Sequence, residues 1–181
     1  MTGAEGAAAN LAAEIPAWSW DLDAVRTAAR DSWNALFARA VVEGDDLLKK
    51  NWYTGFYHLY SQPNDWADAD GRYVAGDGKT RVSRDGRYFT TLSLWDTFRA
   101  AHPLYTVVTP EIVTPVVNTL LAHFEAEGRL PVLSYGGKNV DCMIGNHAIP
   151  VIVDAYLKGF RGFDAERAYT AVTNTLTVKH P

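Results

Sequence analysis

With 181 residues, the chain is long enough for one domain with a substantial core. Hydrophobic residues make up 48% and charged residues 21%, which excludes a disordered polymer, and a net charge of −4 argues against nucleic acid or an anionic membrane as partner. The one cysteine, Cys142, excludes an internal disulfide framework and a Cys-based zinc site, and no apolar run is long enough to span a bilayer.

Residues 1–19 read as an irregular lead-in and residues 20–181 as one domain. The alanine-rich start lacks a basic segment and carries Glu5 and Glu14, so no signal peptide is seen, and Pro16 breaks any helix begun in the alanines. From Asp21 onward, Leu22, Val25, Ala29, Trp33, Leu36 and Ala40 recur at three- and four-residue steps, the period of an amphipathic helix. Gly44 and Asp45 interrupt it. A second helix presents Leu48, Trp52, Phe56 and Tyr60 on one face and ends at Pro63.

Residues 62–90 are rich in Asn, Asp and Gly, the residues of turns. Short runs at Arg72–Val74, Lys79–Val82 and Arg87–Thr91 predict a small hairpin-like insertion, and a long loop of this kind inside a helical domain is often a binding loop. A short helix is predicted over Leu94–Ala101. Thr109-Pro110-Glu111 then reads as a helix start, with Ile112, Val116, Leu120 and Phe124 at four-residue steps and Val113, Val117 and Leu121 widening the stripe. That width predicts burial against two neighbours. Pro115 must kink this helix or delay its start to Thr114. Gly128 ends it, Leu130–Cys142 reads as a loop centred on Gly136-Gly137, and two more helices follow at about 146–159 and 164–176.

Asp68-Ala69-Asp70-Gly71 has the look of a calcium loop. EF-hand spacing, however, would put Trp66 at the first ligand position and Asp77 at the last, which leaves acidic turn chemistry or a calcium site of another kind. Asp96 and Arg99, three apart, share a helix face beside Trp95. Two readings stay open there: a surface pair with Trp95 in the core, or a clamp in which a carboxylate accepts sugar hydroxyl protons, an arginine donates and an indole supplies an apolar wall. Asp141 and His147 are open in the same way between a structural helix start and a pocket. His58 and His123 have core or surface roles. The sequence contains no nucleophile elbow, P-loop, dinucleotide fingerprint or His-Glu-x-x-His motif.

Several ordered runs resemble one family. They are Phe56-Tyr57-His58-Leu59-Tyr60, Asp70-Gly71-Arg72-Tyr73, Ser93-Leu94-Trp95-Asp96-Thr97-Phe98-Arg99, His102-Pro103-Leu104-Tyr105, Gly128-Arg129-Leu130-Pro131, Asp141-Cys142-Met143-Ile144-Gly145-Asn146-His147 and Asp154-Ala155-Tyr156-Leu157-Lys158-Gly159. Together they resemble glycoside hydrolase family 92, the exo-acting α-mannosidases. The resemblance implies a mainly α fold, part (about half) of an (α/α)6 barrel, with a β-sandwich and the rest of the barrel supplied in a full-length enzyme. It implies calcium-dependent, inverting hydrolysis of α-linked mannose, in which one carboxylic acid protonates the leaving oxygen and a second carboxylate activates water, the two roughly 6.5–9.5 Å apart. It also implies an α-mannoside partner, with Trp95, Asp96 and Arg99 as terminal-mannose contacts, His147 as a further pocket residue and Asp141 beside the acid. The calcium ligands stay unassigned. Family members are typically bacterial and secreted or periplasmic.

Two departures from the family bear on activity. The family usually places a Glu, its general acid, two residues before Asp-Cys-Met, and here that position is Asn139. An amide delivers no proton near neutral pH, so acid catalysis worth roughly 10²–10⁴ should be lost. The resemblance also places the base carboxylates beyond Pro181. The isolated chain is therefore expected to be inactive. The alternatives are a non-catalytic mannose-binding module, a helical remnant, or a hydrolase of mannosyl-phosphate linkages, whose phosphate leaves without a proton.

Overall fold

Alanine is the best helix former, and the alanine-rich start is a helix, α1 (Ala4–Glu14). The fold, given by a computed structural model, is described for residues 2–15 and 21–177; Pro16 and Pro181 lie outside them. The expectation of an irregular lead-in is thereby corrected over Ala4–Glu14. The helix docks on the buried Asp68, whose Oδ1 accepts from Asn10 Nδ2 (2.8 Å) and whose Oδ2 accepts from the Thr2 N–H (2.8 Å).

Asp21 caps α2 (Leu22–Phe37) by accepting from the Asp23 and Ala24 N–H groups, and Asp45 caps α3 (Asp46–Leu59) through the Leu48 N–H. Aromatic residues on and beside the two periodic stripes join these helices. Trp33 lies 4.6 Å from Tyr57 and Phe37 lies 6.1 Å from Phe56, ring centre to ring centre. Tyr105 Oη donates to the Leu59 and Gln62 carbonyls (2.7 and 2.9 Å), which fixes the C-terminal end of α3.

The turn-rich segment holds β1 (Asn64–Asp65), β2 (Arg72–Val74), β3 (Thr80–Val82) and β4 (Phe89–Thr90). β2 and β3 form the predicted hairpin, in register Tyr73 to Arg81. The third run instead pairs antiparallel with β1, Asp65 opposite Phe89. Its acids serve the turns: Asp70 holds Arg72 and Asp77 holds Arg81. The Arg81 hydrogen bonds keep the Asp77 carboxyl well below the usual carboxylate range.

The helix expected over Leu94–Ala101 is two helices, α4 (Leu94–Thr97) and α5 (Ala101–Val108). Pro103 has no N–H to donate, so it fits only in the first turn of a new helix, and the chain restarts at Ala101. One 3-10 turn, Pro110–Ile112, leads into α6 (Val113–Glu127), which places Pro115 in the first turn and ends at Gly128. The loop expected over Leu130–Cys142 contains a two-stranded hairpin, β5 (Ser134–Tyr135) and β6 (Lys138–Asn139). Gly136 (φ 59°) and Gly137 (φ 76°) turn it, the pair of positive φ values a two-residue hairpin turn needs. α7 (Ala148–Leu157) and α8 (Ala165–Thr177) complete the described helices.

The main core lies where α6 meets α5, α7 and α8. Val116, Val117, Leu120 and Leu121 of α6 pack there with Tyr105, Ile152, Ala155 and Ala171. Each fully buried aliphatic side chain contributes about 1.5–3 kcal/mol, so this stripe dominates the stability of the domain. A smaller core of Tyr73, Ala75 and Tyr88 seats the β2–β3 hairpin against α6.

Candidate functional site

Thr91, just before α4, has φ 56°, a left-handed conformation uncommon for a β-branched residue. It turns the chain so that Leu92 pairs with Ser134 through reciprocal backbone hydrogen bonds (Leu92 N–H to Ser134 O, 3.0 Å; Ser134 N–H to Leu92 O, 3.1 Å). Leu92 and Leu94 are buried anchors, and they leave the next residues facing outward. Trp95 is 40% exposed, which settles it as a surface indole rather than a core one. Asp96 and Arg99 make no ion pair with each other among the described residues. Ser93 Oγ donates to Asp96 Oδ2, and the Arg99 guanidinium lies 4.8 Å over the Phe98 ring.

The second stretch arrives beside the first. Gly145 takes φ 86°, and a Cβ there would stand 2.5 Å from His147 Nε2, so only glycine lets this imidazole fold back into place. The His147 ring stacks on Phe98 (4.2 Å, 15° between planes) and lies 6.2 Å from Trp95. Trp95, Phe98, Arg99 and His147 therefore form one aromatic wall flanked by a cation. Phe98 escaped the sequence reading as a site residue; its role depends on His147 reaching it from a distant segment. Asp96 does not join this wall. It opens onto a groove of about 540 Å³ between α3 and α5, lined by Trp52, Phe56 and His58.

Asn139 and Asp141 form a separate cluster. Asn139 Nδ2 donates to Asp141 Oδ1 (2.8 Å), and its Oδ1 accepts from the Val132 and Leu133 N–H groups (2.8 and 3.4 Å). Both ends of the amide thus brace the loop that carries them. Arg129, also missed from sequence, forms an ion pair with Asp141. The two line a cavity of about 300 Å³ together with Met143, Gly145 and Asn146.

Behind β5–β6 sits the fully buried His123. Its Nε2 is 3.0 Å from Ser134 Oγ and 3.1 Å from Tyr88 Oη, and its Nδ1 is 3.1 Å from Glu127 Oε1, which also accepts from the Asn139 N–H (3.1 Å). The Ser-His-Glu order matches a nucleophilic triad, but Ser134 and His123 are both 0% exposed, so no substrate reaches the hydroxyl. The network fastens the hairpin to α6, which agrees with the core role given to His123.

Among the described residues, no three His, Cys, Asp or Glu side chains converge as a metal site would require. These side chains alone therefore do not make up a calcium site.

The catalytic-domain model of glycosyl hydrolase family 92 matches residues 6–181. Among solved structures, the family GH92 α-mannosidase BT3965 from Bacteroides thetaiotaomicron is 31% identical with a TM-score of 0.91, over 98% of this chain and 24% of that one. The same enzyme in complex with mannoimidazole gives 31% and 0.90, over 97% and 23%. The family GH92 inverting mannosidase BT2199 from Bacteroides thetaiotaomicron VPI-5482 is 28% identical with a TM-score of 0.87, over 98% and 24%. The chain thus spans about a quarter of the length of the solved proteins it matches. No curated protein matches it in sequence. Its helices are part of an (α/α)6 barrel carrying a small hairpin insertion.

Proposed function

Because the chain belongs to glycosyl hydrolase family 92, we propose that it supplies the sugar-binding wall of an α-mannoside-directed catalytic domain and that by itself it binds without turnover. The observation that carries this reading is the meeting of Trp95, Phe98 and His147 beside Arg99. Ring faces suit the C–H face of a pyranose, and the guanidinium donates to its hydroxyls. Asp96, its carboxylate held by Ser93, faces the neighbouring α3–α5 groove and takes no part in this wall. The relative that holds mannoimidazole and the one described as an inverting mannosidase support α-mannose as the sugar and inversion as the outcome for the larger enzyme.

Asn139 argues against turnover. Its amide carries no transferable proton, and both of its ends are engaged within the loop. The calcium that the family resemblance implies keeps its ligands unassigned, since no three His, Cys, Asp or Glu side chains converge among the described residues. The purified 181-residue chain, incubated with an aryl α-mannoside, should release no aryl alcohol above buffer, and Asn139→Glu should not restore release. Appreciable turnover by the unaltered chain would contradict the proposal.

A further inference from the structure

A second cleft, lined by none of the aromatic-wall residues, lies between the turn at residues 83–88 and helices α6 and α8. It encloses about 230 Å³, and its charged lining is Arg84, Arg87 and Arg167 against one carboxylate, Glu125. Three arginines lining one cleft stand out in a chain of net charge −4. The floor is rigid: the buried Tyr73 and Tyr88 rings stack at 3.9 Å and 11°, and Tyr88 Oη donates to the Gly137 carbonyl (3.1 Å).

The turn is fixed as well. Asp85 accepts from Ser83 Oγ (3.0 Å), the Arg87 N–H (3.3 Å) and Asn118 Nδ2 (2.9 Å), which ties the turn to α6 and occupies that carboxylate. Arg167 is oriented by Glu125 and Arg87 by Asp65 (3.4 Å). Each of those contacts leaves further guanidinium N–H groups to donate. Arg84 is exposed and makes no ion pair or hydrogen bond among the described residues.

We propose that this cleft binds a tetrahedral oxyanion, a phosphate or sulfate group, free or as the monoester of a small ligand. Guanidinium forks match paired oxyanion oxygens, and charge-assisted hydrogen bonds of this kind are roughly twice as strong as neutral ones. Two of the three forks are already oriented by carboxylates, so little ordering remains to be done on binding. The volume falls below the roughly 300–1,000 Å³ of pockets for drug-sized ligands, which restricts the occupant to one small group.

The test is an NMR titration of the chain with inorganic phosphate and, separately, with glycerol phosphate, using chloride at matched ionic strength as control. The amides of residues 83–88, Asn118 and Arg167 should shift saturably with phosphate and not with chloride. Arg84→Gln should weaken that binding about tenfold. This variant removes no contact, so its spectrum elsewhere should match the parent. Saturation by both ligands supports a monoester site, and saturation by inorganic phosphate alone supports a site for the free oxyanion. The proposal is overturned by the absence of saturable shifts with either ligand, or by binding that is unchanged in Arg84→Gln.

Discussion

Asn139 accepts at one end of its amide from Val132 and Leu133 and donates at the other to Asp141. Asn139→Ala would leave the Val132 N–H, on a buried residue, without its acceptor, and such a loss costs about 1–3 kcal/mol. Chemical denaturation should show that loss of stability with an unchanged denaturant slope; a variant as stable as the parent would show that the amide is not a brace. This role was not legible in sequence. Substitution at the acid's position was readable, but the amide's partners appear only once the glycine turn folds the loop back on itself. Trp95 and His147 were legible as candidates because indole and imidazole beside charge are chemically distinctive. Phe98, apolar and unremarkable in sequence, gained its role from contact alone.

At the scale of elements, helices α2, α3, α6 and α8 were readable from their apolar periodicity, most firmly α6, whose stripe is buried, and α7 was placed as a helix without a named stripe. The errors fell on α1 and α5. α1 has little amphipathic character and is held by Asp68, a long-range contact that no local pattern announces. The Thr2 and Asn10 hydrogen bonds keep the Asp68 carboxyl down at about 2. α5 was missed because Pro103 was not recognised as its first turn, yet this short helix carries a titratable group in the core. Burial pushes the His102 imidazole from its ordinary 6.5 down to about 4. In the unfolded chain it takes up a proton near 6.5; in the folded chain it stays neutral to about pH 4. Its contribution is therefore complete above about pH 6.5 and is lost progressively as the pH falls toward 4, in all about 3 kcal/mol. Denaturation across this range should show that decline, and His102→Leu should flatten it. An equal slope in the variant would assign the acid sensitivity elsewhere.

For the molecule as a whole, the chain spans about a quarter of its solved relatives, and its helices are part of a barrel. Leu22, Val107 and Leu157 are more than 70% exposed, and Leu47 and Leu176 are also exposed. Apolar residues on the outer faces of so many helices are expected contact surface for the rest of a barrel, and without it they favour association between copies. Sedimentation should show concentration-dependent self-association across the micromolar range; a strictly monomeric chain would contradict this. The helical class was legible from the stripes, whereas the barrel came from resemblance, since periodicity states that a face is buried but not against what. The central claim, that Trp95, Phe98, Arg99 and His147 form a mannose-binding wall, is tested most directly by titrating the chain with mannose and following tryptophan fluorescence. A saturable change at millimolar sugar, abolished in Trp95→Ala and absent with a non-sugar polyol, is the predicted result. No change in the parent chain, or an equal change in Trp95→Ala, would contradict it.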